Sequence, residues 1–176
     1  MASSIKPASV VPGRAFIGMG ANLGLPEKAL RDALDSLHAL PGTRVRAASR
    51  WYRSTPVDAP GPDYLNAVAM VETTLGPHAL LARLQAIEAA AGRERGERHA
   101  PRTLDLDLLV YDARVIDDAG LQVPHPRLTE RAFVLRPLFE LAPSLVLPDG
   151  RLIADLTARI RDQPLAPAGD ARWVAP

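Results

Sequence analysis

The run Leu104-Asp105-Leu106-Asp107-Leu108 strictly alternates apolar and acidic residues. In an extended strand, residues two apart share a face, so the leucines point one way and both aspartates the other, with Cα atoms roughly 7 Å apart. A helix would place the aspartates about 200° apart. The segment is therefore predicted to be a strand with one buried face and two carboxylates side by side on the other. Adjacent like charges repel and need a compensating cation or arginine. Mg²⁺ is one answer, because it takes one or two carboxylates and fills its other positions with water and phosphate oxygens. The other is a solvent-facing strand whose aspartates meet arginines.

The surrounding residues bear on that choice. Arg93, Arg95, Arg98 and Arg102 precede the strand, offset only by Glu94 and Glu97, and Arg102 stands three residues before Asp105. Metal on one side and guanidinium on the other is the arrangement that stabilises charge developing in phosphoryl transfer. Read alone, such a loop is a solvated surface. Downstream, VPHPRLTERAF presents His125, held between prolines, together with Arg127 and Arg131. His125 has an equally simple reading as a structural residue, and Arg131 as a helix-surface residue.

The rest of the chain supplies the architecture. Arg14–Met19 reads as a strand and Pro26–Leu40 as a helix, with Leu30, Leu34 and Leu37 at helical spacing and Pro41-Gly42 as its stop. Arg44–Tyr52 alternates as a half-exposed strand, residues 54–63 form a proline-rich loop, and Asn66–Thr74 is a further strand. Pro77–Ala91 is a helix with Leu80, Leu81, Leu84 and Ile87 on one side, and Val115 and Ile116 form a short strand after the Leu104–Tyr111 strand. From Pro124 to about Arg161 proline breaks alternate with short helical stretches. This order is that of an α+β, ferredoxin-like core: a mainly antiparallel sheet with helices packed on one face. One catalytic domain is expected over residues 14–162, with mobile tails at 1–13 and 163–176.

Composition excludes several function classes. The chain of 176 residues has no cysteine, which removes disulfides and thiolate metal sites and fits a cytoplasmic setting. A formal net charge of +1 argues against a general nucleic-acid or membrane binder, and no apolar stretch approaches the roughly 20 residues of a membrane span. The turn GMGANLG (18–24) invites comparison with dinucleotide-binding turns, but the next strand carries Arg44, Arg46 and Arg50 and no acidic ribose ligand ends it. A nicotinamide-dependent oxidoreductase and a ferredoxin-like RNA-binding module are the alternatives from other classes; the second should show aromatics on exposed strand faces, of which there are few.

Taken together, GMGANLG, SRWYRSTPV, PDYLNAV, QAIEAAAGRERGERHAPRTLDLDLLVYD and VPHPRLTERAFVLRPLFELAP, in that order, resemble the 6-hydroxymethyl-7,8-dihydropterin pyrophosphokinases of folate biosynthesis. The resemblance implies transfer of the diphosphate of ATP to the pterin hydroxymethyl oxygen, with release of AMP. It implies two Mg²⁺ ions on Asp105 and Asp107, with Arg93 and Arg102 joining them as catalytic residues. Arg95, Arg102, Leu108, His125 and Arg131 would contact ATP, with Gln85 and Glu88 also near the nucleotide. Tyr64 and Phe133 would sandwich the pterin ring, and Ser54, Thr55, Pro56, Val57 and Asn66 would meet its polar edge. A monomer acting on these two substrates, without nucleic acid or membrane, is expected. Ala21 and His99 depart from the family, where serine and an aromatic residue are common.

Overall fold

The structure, a computed structural model, describes residues 11–56, 61–92, 103–169 and 173–175. Its centre is β1 (Gly13–Ala21), whose side chains alternate between two apolar layers. β1 pairs antiparallel on one side with β4 (Tyr64–Thr73) and on the other with β5 (Asp105–Tyr111). The far edge of β4 carries both β2 (Thr43–Ala48) and β3 (Tyr52–Ser54), so the sheet reads β5-β1-β4-β3, with β2 beside β3 on β4. β2 and β3 were expected as one strand. Ser49, fully buried, interrupts it: its amide donates to the Val68 carbonyl and its hydroxyl accepts from the Val68 amide, so a side chain replaces one rung of the ladder.

Helices α1 (Pro26–Ala39) and α2 (Pro77–Ala90) cover the first face. Each starts with proline in its first turn, where the missing N–H has no partner to lose. Leu30, Leu34 and Leu37 of α1 and Leu80 and Leu84 of α2 meet Ile17, Met19, Ala67, Ala69, Leu106 and Leu108 in one buried cluster. At roughly 1.5–3 kcal/mol per fully buried aliphatic side chain, this layer is a principal source of stability.

The second face is covered too, which corrects the expectation of helices on one side only. α3 (Ala132–Leu141) and α4 (Ile153–Arg159) pack Val134, Leu135, Leu138, Ile153 and Leu156 on Phe16, Val68, Leu109 and Val110. The sequence of α3, AFVLRPLFEL, is apolar almost throughout and contains Pro137, which hid its helical period. On β5 the pairing skips Leu109, since Phe16 opposes Val110 while Ile17 opposes Leu108. This bulge sends Leu109 and Val110 both to the α3 side and turns Tyr111 back to the α1/α2 side, where its hydroxyl donates to the Leu75 carbonyl.

A hairpin of β6 (Ile116–Asp117) and β7 (Gln122–Val123) follows, then a cis Val123-Pro124 bond and a 3-10 turn over Leu128–Glu130. The C-terminal segment, expected to lie outside the domain from residue 163, instead adds β8 (Ala166–Pro167) antiparallel to β3. Trp173 also stacks against His38 and donates to Asp35 of α1. Residues 1–10 of the expected N-terminal tail lie outside the described residues, and β1 already begins at Gly13.

Candidate active site

Asp105 and Asp107 occupy the start of β5 and project on the α3 side, because Leu104, Leu106 and Leu108 are committed to the α1/α2 core. Across the ladder, Asp105 opposes Gly20 and Asp107 opposes Gly18; on the next strand Gly20 opposes Asn66 and Gly18 opposes Val68. Gly20 was expected in a turn after the Arg14–Met19 strand, but it lies within β1 and leaves the sheet beside Asp105 bare, whereas Gly18 is covered by Leu109. A Cβ on Gly20 would meet only the Asn66 Oδ1 at 3.6 Å, whereas one on Gly18 would press on Leu109 at 3.2 Å. The floor between the carboxylates and Asn66 is therefore open backbone.

His125 and Arg131 reach this end of the face from the segment leading into α3. The His125 amide donates to the Leu109 carbonyl at 2.8 Å, fastening the Pro124–Arg127 turn to β5 just past the aspartates. Its Nδ1 accepts from the Arg127 amide at 3.2 Å. An accepting Nδ1 leaves the ring proton on Nε2, a neutral donor. Burial pushes the His125 pKa below its ordinary value against the attraction of Asp107 and Asp105, and Arg131 lowers it further. The pKa of Arg131 is lowered in turn, by burial and then by Arg127, while Asp107 and Asp105 oppose the shift. Two carboxylates, a cation and an imidazole thus share one electrostatic neighbourhood.

Beside it lies a cavity of about 230 Å³ lined by Ser54, Thr55, Pro56, Ala132, Phe133 and the segment Asp162–Leu165. Arg131 stacks over the Phe133 ring at 5.5 Å, joining cavity and charged cluster. Asn66, buried behind the cavity wall, donates from Nδ2 to the Ser54 hydroxyl at 2.8 Å and to the Tyr52 carbonyl at 3.2 Å, fixing the strand that delivers Ser54 and Thr55. Tyr64, half-buried, pairs with Ser54 at the start of β4. The buried Asn22 donates to the Pro62 carbonyl, tying the turn after β1 to the loop that precedes Tyr64.

Other expected contacts lie elsewhere. Leu108 is buried in the α1/α2 core on the opposite face, so its side chain cannot line this site. Glu88 is also buried, and its Oε1 accepts from the Leu106 amide at 2.7 Å, so it steadies the strand between the aspartates; Gln85 is exposed three residues earlier on α2. Arg93, Arg95, Arg102 and Val57, with His99, lie outside the described residues. Sequence reasoning missed Ala132 and Asp162–Leu165 of the cavity wall, because an Ala/Pro-rich terminus without periodicity carries no signal for packing.

The residues suit the implied metal. Asp105 and Asp107 are half-buried, share one face and border open backbone, and no group of three or more His, Cys, Asp or Glu side chains gathers as a metal site among the described residues. A pair of carboxylates leaves most positions of a hard divalent ion to water and substrate oxygens, which is the Mg²⁺ pattern rather than a protein-only cage.

Residues 16–143 match the family model of 7,8-dihydro-6-hydroxymethylpterin-pyrophosphokinase. The chain belongs to that pyrophosphokinase family. A relative from Pseudomonas aeruginosa named 2-amino-4-hydroxy-6-hydroxymethyldihydropteridine pyrophosphokinase is 46% identical over 146 residues, covering 82% of this chain and 90% of its own. One of the same name from Haemophilus influenzae is 42% identical over 149 residues, covering 84% and 93%. A crystal structure of HPPK-DHPS in complex with substrates superposes with a TM-score of 0.67 at 12% identity over 84% of this chain. Wild-type Plasmodium falciparum HPPK-DHPS gives 0.66 at 14% identity, also over 84%. The chain spans 43% of each of those two longer chains, and at such identity they speak to the fold alone. The pyrophosphokinase fold is thus the α+β sheet described above, and its members are enzymes of folate synthesis.

Proposed function

We propose that this pyrophosphokinase transfers the diphosphate of ATP to the hydroxymethyl oxygen of 6-hydroxymethyl-7,8-dihydropterin, with two Mg²⁺ ions on Asp105 and Asp107 and AMP as the second product. The observation that carries the reading is the position of the aspartate pair. It sits on a glycine floor, in the same field as His125 and Arg131, and Arg131 stacks on a ring that lines the adjoining cavity.

Bound there, Mg²⁺ would neutralise phosphate charge and hold the diphosphate for in-line attack. The protein's own groups do the rest by positioning. The neutral His125 donates from Nε2 to a phosphate oxygen, and Arg131 places its guanidinium against the same group. Phe133 provides a flat wall for the pterin, with Tyr64 at the other side of the ring. The Ser54 hydroxyl and the main chain of Thr55 and Pro56 meet its polar edge. The cavity is smaller than the roughly 300–1,000 Å³ of drug-sized ligand sites, which suits a bicyclic ring but not a whole nucleotide. Arg93, Arg95 and Arg102 complete the phosphate clamp in this reading, with Gln85 toward the nucleoside and Glu88 steadying β5 between the aspartates.

The lack of cysteine supports work in the cytoplasm, and no described helix is long and apolar enough to cross a membrane. A monomer is proposed as the working unit. The decisive test mixes protein, MgATP and the pterin alcohol and identifies the nucleotide product. AMP in step with pterin diphosphate is expected; ADP, or no turnover, overturns the reading.

A further inference from the structure

Gln163 lies outside every motif read from the sequence, yet its carboxamide grips the main chain on both sides of Arg131. Its Oε1 accepts from the Ala132 amide at 2.8 Å and its Nε2 donates to the Glu130 carbonyl at 2.7 Å. The bracketed residue, Arg131, is extended at φ −120° and ψ 115° and immediately precedes α3. Helix α3 needs outside help at this end. Arg131, its N-cap residue, makes no side-chain capping bond, so the orphan amide of Ala132 is satisfied from across the fold. In addition Pro137, having no N–H, cannot donate to the Phe133 carbonyl four residues earlier. The first turn of α3, which carries Arg131 and Phe133, is thus under-bonded by the helix itself.

The segment holding Gln163 is fixed at its other end. β8 pairs with β3, Ala166 opposite Arg53, and the Ala168 amide donates to the Trp51 carbonyl. Residues 162–165 therefore bridge the β3 wall of the cavity to its α3 wall, and they line the cavity themselves. A primary amide is the side chain that suits this position, because it donates and accepts at once, whereas an ionised glutamate only accepts and a leucine of similar size does neither.

We infer that Gln163 is a positioning residue of the transfer reaction: it locks the Arg131–Phe133 segment so that the phosphate-facing guanidinium and the pterin-facing ring keep a fixed relation. The inference rests on the reading given under Proposed function. In Gln163→Leu, kcat should fall about tenfold and the KM for the pterin rise about tenfold, roughly 1.4 kcal/mol each. The KM for ATP should stay within about twofold, and hydrogen exchange at the Ala132 amide should quicken. Gln163→Glu supplies a rescue. Its neutral acid form again donates and accepts, so its deficit relative to wild type should shrink as pH is lowered from 8 toward 5.

The wild-type enzyme, assayed in parallel, separates the two claims: absence of AMP from wild type overturns the reaction itself. If wild type turns over, kinetic constants for Gln163→Leu within about twofold of it overturn the positioning role. So does an equal rise of both KM values accompanied by a large drop in Tm, which marks a purely structural lash. A pH-independent deficit in Gln163→Glu overturns the need for a group that both donates and accepts.

Discussion

The two faces of the sheet are built from the same three central strands and treated in opposite ways. On one, α1 and α2 seal β1, β4 and β5 along their length, and Met19, Ala21, Leu65 and Leu106, near the same end as the aspartates, are as buried as the rest. On the other, α3 and α4 cover Phe16, Val68, Leu109 and Val110, while the adjoining end presents Asp105, Asp107 and Gly20, with Asn66 beside them. The difference shows how a small fold separates stability from chemistry. One face supplies stability without interruption, so the other can keep bare backbone and two neighbouring carboxylates.

Substitutions can break that division. The largest effect is expected for Asp107→Ala, which should lower kcat by about a thousandfold, the loss typical of a key electrostatic group. Its far-UV circular dichroism and Tm should match wild type; near-normal turnover would sink the metal assignment. Leu34→Ala on the sealed face should do the reverse, costing about 2–5 kcal/mol in denaturant unfolding with kcat unchanged below the melting range. A loss of kcat there at temperatures where the variant is folded would mean that the faces are coupled.

Gly20→Val sharpens the comparison. The branched side chain suits a strand and its Cβ has room, so Tm should hold or rise while activity drops about tenfold to a hundredfold as its methyls crowd the floor between Asp105 and Asn66. Full activity would show that the bare backbone is unused. The smallest effect belongs to Asp149→Asn, in the exposed turn before Arg151. The pKa of Asp149 is lowered by its bonds to the side chain and amide of Arg151. A lowered carboxylate pKa stabilises the fold above the ordinary value of 3.8 and loses that contribution as pH falls below it. The variant should melt slightly lower at pH 7, and the gap should close as pH falls below 3.8 and through the lowered folded-state pKa; a gap that persists in acid would contradict the assignment.

What the sequence made legible follows a physical line. The Leu/Asp alternation of β5 and the leucine spacing of α1 and α2 are side-chain patterns imposed by burial on one side, and they located both the sealed face and the aspartate pair. α3 was hidden because an element buried around Leu135 and Leu138 and interrupted by Pro137 has no polar stripe to mark its period. The break between β2 and β3 turns on a single serine hydroxyl serving the main chain. β8 pairs through backbone groups, which any residue offers, and the Gln163 carboxamide bonds to main chain some thirty residues away, so no local composition or spacing announces either. Of the site, the charged members were readable and the absence was not: Gly20 resembles a turn residue until pairing shows it lying flat beside Asp105.

The extra residue at Leu109 gives β5 a change of gear. Ahead of it odd-numbered side chains look toward the chemistry; beyond it that role passes to the even Val110, and Tyr111 is released to hook the carbonyl of Leu75. The strand's two halves are thus indexed separately, one by its grip on the far helical layer and the other by what it offers to ligands. A single-residue deletion between Asp107 and the step would exchange carboxylates for leucines at the catalytic end and drive both aspartates into the far helical layer, so the strand would lose its chemistry and its anchorage together.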